Sequence, residues 1–266
     1  MHQLKQIHAH TLRNGIDFTK FLITKLLEIP NIPYAHKMFD LIPQPNVFLY
    51  NKLIQAFSSH GPVHNCFTLY TQMCLSGCSP NQHSFTSLFA ASATLHSPRQ
   101  GQTLHAHLVK LGYEFDLYAS TALVDMYAKL GMLPSARQVF DKTKTRDVPT
   151  WNSLIAGKYE LVHALFKNSR SDIEGALKVL DEMPAMGMLP NVVTYTTILG
   201  AYVSKGDMVS AKKIFDQILD RGWTPDATTY TILMDGFCKQ GRLVDAVRVM
   251  DDNKVDPNDV TYGVMA

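Results

Sequence analysis

At 266 residues the chain has room for one large domain or two ordinary ones, and 46% hydrophobic content supports a substantial core, which excludes a disordered tail. With 25 Lys and Arg against 23 Asp and Glu, the net charge of +2 gives only weak, unspecific attraction to nucleic acid. No apolar run reaches the ~20 residues of a membrane helix, so no membrane partner is expected.

The opening MHQLKQIHAH has neither the basic-then-apolar pattern of a secretory signal nor an Arg/Ser-rich transit character, and the start is expected to be truncated. The four cysteines, Cys66, Cys74, Cys78 and Cys238, form no C-x2-C pair and no zinc-spaced cluster, which fits reduced thiols and predicts no bound metal.

Taken in chain order, seven segments align on Tyr50, Phe85, Ser120, Trp151, Tyr195, Tyr230 and Tyr262, spaced by 35, 35, 31, 44, 35 and 32 residues. Apolar residues follow at i, i+3, i+4 and i+7, as in Tyr50/Leu53/Ile54/Phe57, which predicts a helix buried on one face. A second helix is expected after Gly131, Gly206 and Gly241, each five residues before Ala136, Ala211 and Ala246. The pattern Ala-x3-apolar-Asp marks this second helix at Ala35/Phe39/Asp40, Ala136/Phe140/Asp141, Ala176/Leu180/Asp181, Ala211/Phe215/Asp216 and Ala246/Met250/Asp251. The small residue allows close helix approach, and the large one covers a neighbouring helix.

Gly77-x2-Pro80, Gly187-x2-Pro190 and Gly222-x2-Pro225 punctuate the ends, and the following Asn or Asp suits the next N-cap. The expected units are a partial repeat at about 1–16, then 17–45, 46–80, 81–115, 116–146, 147–190, 191–225 and 226–257, with a truncated repeat at 258–266. One hairpin cannot bury its own stripe, so the fold expected is an all-α, right-handed superhelical solenoid of helix-turn-helix hairpins.

Two departures stand out. Nine extra residues lie between the helices of the fifth full unit, within 157–171, where they either extend a helix or represent a gene-model artefact. The unit before Tyr262 is short, and the chain stops inside a first helix, leaving an apolar face uncovered.

The strings NVVTYTTILGAYVSKGDMVSAKKIFDQILDRGWTPD and DATTYTILMDGFCKQGRLVDAVRVM resemble the plant pentatricopeptide repeat (PPR) consensus. STALVDMYAKLGMLPSARQVFDKTKTRD and QGQTLHAHLVKLGYEFD resemble its short and long variants. The resemblance runs from about Gln3 to Ala266, with variant repeats in the N-terminal half and standard-length repeats in the C-terminal half, a mixture that a truncated or chimeric gene model would explain.

The resemblance implies sequence-specific binding of single-stranded RNA, one base per repeat, in organellar RNA processing or modification such as editing, splicing or stabilisation. Base choice falls to two side chains per repeat: the residue after the aromatic, about 100° off the buried stripe, and the polar residue after the terminal proline. The family's pairing makes Thr24 with Asn46 and Thr231 with Asn258 adenine readers, and Asn51 with Asn81 and Asn152 with Asn191 pyrimidine readers. Thr121 with Asp147 and Thr196 with Asp226 resemble guanine readers, while Thr86 with Asp116 lies in a long-type unit to which the rule applies poorly. Read 5′ to 3′ along the chain, the implied target is A-Y-(G)-G-Y-G-A. Phe48, Val193 and Thr228, two residues before the aromatic, would flank the bases. The competing role for the polar residues is helix capping and first-turn solvent contact.

No catalytic role is expected: the H-x-E and C-x2-C strings of a cytidine deaminase are absent, as are phosphate-loop, esterase and zincin strings. His8/His10 and His105/His107 place their rings about 200° apart on a helix and are not expected to share a metal. No cofactor or small-molecule substrate is implied. A separate RNA-editing or processing enzyme is the expected protein partner, with mitochondrion as the compartment and chloroplast as the alternative. The competing class is a protein-binding scaffold, which would present one patch of carboxylate-clamping cations or aromatics rather than a recurring polar pair. A truncated, non-functional family member is the other alternative.

Overall fold

The computed structural model describes residues 24–25, 31–165 and 171–253. Among the described residues there are thirteen assigned α-helices and no strand. They fall into two compact units, Met1–Leu130 and Gly131–Ala266.

The first unit carries α1 (Ile32–Phe39), α2 (Val47–His60), α3 (Asn65–Leu75), α4 (Gln82–Thr94), α5 (Pro98–Lys110) and α6 (Leu117–Lys129). Helix α4 packs against both α2 and α6, so the first helices form a row, while α1, α3 and α5 each pack on the first helix that follows. The predicted stripe is the core: Tyr50, Leu53, Ile54 and Phe57 are buried, as are Phe85, Leu88 and Phe89.

The second unit carries α7 (Leu133–Lys142), α8 (Val148–Leu165), α9 (Ser171–Ala185), α10 (Val192–Ser204), α11 (Met208–Asp220), α12 (Ala227–Lys239) and α13 (Leu243–Asn253). Here α8, α10 and α12 form the row, backed by the second helices. Helix α8 has 18 residues where α10 and α12 have 13, so much of the insertion continues the first helix.

Close helix approach requires a small residue at one position of each second helix. Cys66, Gly101, Ala136, Ala176, Ala211 and Ala246 occupy it, all buried. A Cβ on Gly101 would lie 2.6 Å from the Met126 sulfur, so Met126 fills the space that alanine takes elsewhere. Four residues beyond the small one, Phe39, Phe140 and Phe215 meet Tyr50, Trp151 and Tyr230 of the following first helix edge-to-face, at 5.0, 4.6 and 5.6 Å between centroids. Each such pair adds about 0.5–1.5 kcal/mol beyond the area it buries and ties neighbouring hairpins together.

The helix ends follow the punctuation. Gly222 adopts φ +70°, and the bonds from Gly222 N–H to the Leu219 carbonyl and from Trp223 N–H to the Ile218 carbonyl close a Schellman motif at the end of α11. The φ values of Gly77 and Gly187 are likewise positive.

Candidate nucleic-acid interface

The Asn or Asp opening each first helix is its N-cap. Asn46, Asn81, Asp116, Asp147, Asn191 and Asp226 each accept from the backbone N–H of the residue three further on. The capping role is therefore real, and it coexists with a second set of bonds reaching the preceding hairpin.

Asn51 on α2 donates from Nδ2 to Oδ1 of Asn81 at 2.9 Å, and its own Oδ1 accepts from the Ser84 hydroxyl at 2.5 Å. In the second unit the Thr194 hydroxyl lies 2.8 Å from Oδ1 of Asn152 and 3.1 Å from Oδ1 of Asn191, with its one proton shared between the two oxygens. One hairpin further on, the hydroxyls of Thr196 and Thr229 are 2.7 Å apart, and Thr229 donates to Oδ1 of Asp226, also at 2.7 Å. In all three places the pair inferred from the sequence is brought together, directly or through one buried hydroxyl.

Thr86 donates to the carbonyl of His83 in its own helix, and Asp116 caps Ala119, which has no hydroxyl to offer. Thr121 lies on α6 of the first unit and Asp147 caps α8 of the second. Thr24 is half-buried, and its partner Asn46 caps Leu49. Thr231 donates to the Ala227 carbonyl, and Asn258 lies outside the described residues.

Among the described pair residues Asn46, Asn191 and Asp226 are exposed, Thr196 is buried at 8% exposure, and the others are half-buried. Beside them Phe48 and Val193 are 52% exposed, and the Lys52 ammonium stands 5.8 Å from the centroid of the Phe48 ring. Tyr118, at the same register before Ser120, is 69% exposed; the sequence reading passed over it although the spacing marks it. In the second unit Val193, Thr196, Asp226 and Thr228, from two successive hairpins, line one open cleft of about 510 Å³.

The other motifs are structural. His105 meets the Tyr127 hydroxyl at 2.9 Å, while His107 bonds Tyr70 and stands edge-on to Phe85, so the two rings serve opposite neighbours. Cys74 and Cys78 are free thiols at the end of the α3 hairpin. Among the described residues no group of three or more His, Cys, Asp or Glu could hold a metal ion, and no helix is long and apolar enough to cross a membrane.

The PPR repeat family profile matches residues 45–94 and 190–239, and the single PPR repeat profile matches 118–148 and 228–252. The chain belongs to the PPR repeat family. A pentatricopeptide repeat-containing protein of Arabidopsis thaliana is 46% identical over 154 residues, covering 58% of this chain and 30% of that protein. Another from the same plant is 34% identical over 214 residues, covering 77% of this chain and 34% of its own length. The PPR chain thus spans about a third of these relatives. Two further Arabidopsis relatives, each 30% identical over 75% and 76% of this chain, are described as mitochondrial and chloroplastic. Among solved structures, the pentatricopeptide repeat protein PPR10 in complex with an 18-nucleotide psaJ RNA element superposes with a TM-score of 0.57 at 20% identity, covering 98% of this chain and 44% of that one. That likeness establishes the helical-repeat fold.

Proposed function

We propose that this PPR chain binds single-stranded RNA along its first helices, one base per hairpin, and that it acts in organellar RNA processing or modification. The observation that supports the reading is the cleft lined together by Val193, Thr196, Asp226 and Thr228, where a planar base packed on the flanking residues would have the polar pair within the same cleft. Apolar flanks hold a base by stacking and van der Waals contact regardless of its identity, and the pair between them discriminates.

The chemistry of the pairs agrees with the assigned bases. The single proton of Thr229 goes to the Asp226 carboxylate, so the short contact with Thr196 is one in which Thr196 donates. Thr196 and Asp226 then present only lone pairs. Guanine is the base whose Watson–Crick edge offers two adjacent donors, N1–H and the N2 amino group. At Asn152 and Asn191 the amide oxygens accept from Thr194, which leaves amide N–H groups for acceptors such as pyrimidine O2 and cytosine N3.

PPR10, known in complex with RNA, supports the ligand class, and the mitochondrial and chloroplastic relatives support an organellar setting. Mitochondrion is the compartment proposed, with chloroplast as the alternative. The chain has no catalytic step of its own in this account, so a separate editing or processing enzyme would complete the reaction.

The test is titration of the purified chain with a single-stranded RNA containing A-Y-G-G-Y-G-A, its DNA counterpart and its duplex. Preference for the single-stranded RNA is expected; equal binding of all three would remove edge reading from the account.

A further inference from the structure

The side chain immediately before the recurring aromatic is not one of the two assigned to base choice. Yet Ser84, Thr194 and Thr229 stand there, each completely buried and each joining a reading residue to the N-cap of the next hairpin. The first helix needs no hydroxyl at this position: Leu49 and Ala119 occupy it in α2 and α6, equally buried. A buried hydroxyl carries a desolvation cost that an apolar residue avoids, so its presence calls for bonds that offset it.

We infer that this buried hydroxyl is a positioning residue for base specificity, setting which hydrogen-bonding face, donor or acceptor, the reading side chain turns toward the RNA. The inference rests on the RNA-binding reading above. A side-chain amide can be rotated by half a turn at little cost in shape, exchanging donor for acceptor. Thr194 restricts that freedom for Asn152: its hydroxyl accepts from the Asn191 N–H at 3.1 Å, and its one proton is shared between Oδ1 of Asn152 at 2.8 Å, the shorter contact, and Oδ1 of Asn191 at 3.1 Å. Asn152 is held with its oxygen inward and its NH2 group outward. Ser84 holds the Asn51 oxygen in the same way, its hydroxyl accepting from the Asn81 N–H at 3.1 Å, while one N–H of the Asn51 amide goes to Oδ1 of Asn81 and the other is left for the base.

Where the cap is Asp226, the same hydroxyl is polarised the other way. Thr229 gives its proton to the carboxylate and takes one from Thr196, which turns lone pairs outward. One hydroxyl thus serves either polarity, according to whether the cap is an amide or a carboxylate. Ala119 provides the natural contrast: without a hydroxyl there, Thr86 turns its proton back onto its own helix at His83, and the pair with Asp116 is not linked. Discrimination at that position should accordingly be poor.

The test uses the full chain and four single-stranded RNAs that differ only at the nucleotide opposite Asn152 and Asn191. Wild type should prefer pyrimidines by about tenfold, the equivalent of one well-formed hydrogen bond. Thr194→Val keeps the shape and removes the hydroxyl; the four RNAs should then bind within about twofold of one another while affinity for stacked bases largely persists. Thr194→Ser should restore the preference, a rescue that a purely packing role would not produce. In case Thr194→Val destabilises the helix, Ala119→Ser supplies the converse experiment, raising guanine preference opposite Thr86 and Asp116. Retention of full pyrimidine preference by folded Thr194→Val, or no gain with Ala119→Ser, overturns the inference. Absence of RNA binding by wild type overturns the underlying function instead.

Discussion

The side-chain amide of Asn51 donates to the side-chain oxygen of Asn81 at 2.9 Å, although thirty residues separate them in the chain. Two side chains from successive hairpins are therefore coupled before any ligand arrives, and in the proposed function they would read one base together. Replacing either by alanine should weaken discrimination at one nucleotide. The double replacement should cost less than the sum, with a coupling of about 0.5–3 kcal/mol in the pyrimidine-over-purine preference. Additive losses in a double-mutant cycle of RNA affinities would mean that the two residues read the base independently.

Thr196→Asn exchanges an acceptor-presenting hydroxyl for an amide beside Asp226. Preference at that nucleotide should move from guanine toward a pyrimidine, by an amount comparable to the roughly 1–3 kcal/mol that individual base contacts contribute in single-strand binders. The other positions should keep their preferences. Titration with RNAs varied one nucleotide at a time reads this directly, and a uniform loss at every position would argue against one base per hairpin.

Phe215 is buried and packs edge-to-face on Tyr230 of the next hairpin. Phe215→Ala should lower stability by about 3–5 kcal/mol, combining lost burial with a cavity. Urea unfolding followed by far-ultraviolet circular dichroism checks it, and a loss below about 1 kcal/mol would show that the contact does not join the hairpins as described.

Asp207 caps α11, accepting from the backbone N–H of Ser210 at 3.0 Å and from its hydroxyl at 2.8 Å. Those bonds, led by the backbone one, hold its carboxyl below the ordinary value of 3.8. Because the folded state binds this proton more weakly than the unfolded chain does, the stabilisation is complete above 3.8 and is lost as pH falls through the lower folded value. Asp207→Ala should cost about 0.5–2 kcal/mol at neutral pH and much less in acid. Unfolding midpoints of variant and wild type should converge as pH drops; a gap that stays constant would remove the ionised carboxylate from the explanation.

Period, helix faces and helix ends were legible because each depends on local chemistry. Tyr50/Leu53/Ile54/Phe57 declares a buried stripe, Gly222 a left-handed exit, and Asn191 a cap. The pairing of Thr196 with Asp226 was legible only through the family's rule, since nothing local to either residue brings them together. The bridging hydroxyls went unread for a physical reason: Thr194 and Thr229 sit on the buried side of the first turn, where a threonine is ordinarily taken as packing or capping. Their contacts cross between hairpins, and the link becomes visible only when the first helices are laid side by side. The insertion within 157–171 is legible from the spacing, whereas its conformation is not, and α8 runs on to Leu165.

The most direct measurement is selection of the purified chain against a randomised single-stranded RNA pool. The account predicts enrichment around A-Y-(G)-G-Y-G-A. The sharpest preferences should fall at the nucleotides opposite Asn51/Asn81, Asn152/Asn191 and Thr196/Asp226, with little preference opposite Thr86/Asp116. A folded chain that enriches no sequence, or whose preferences concentrate opposite Thr86/Asp116, would contradict it.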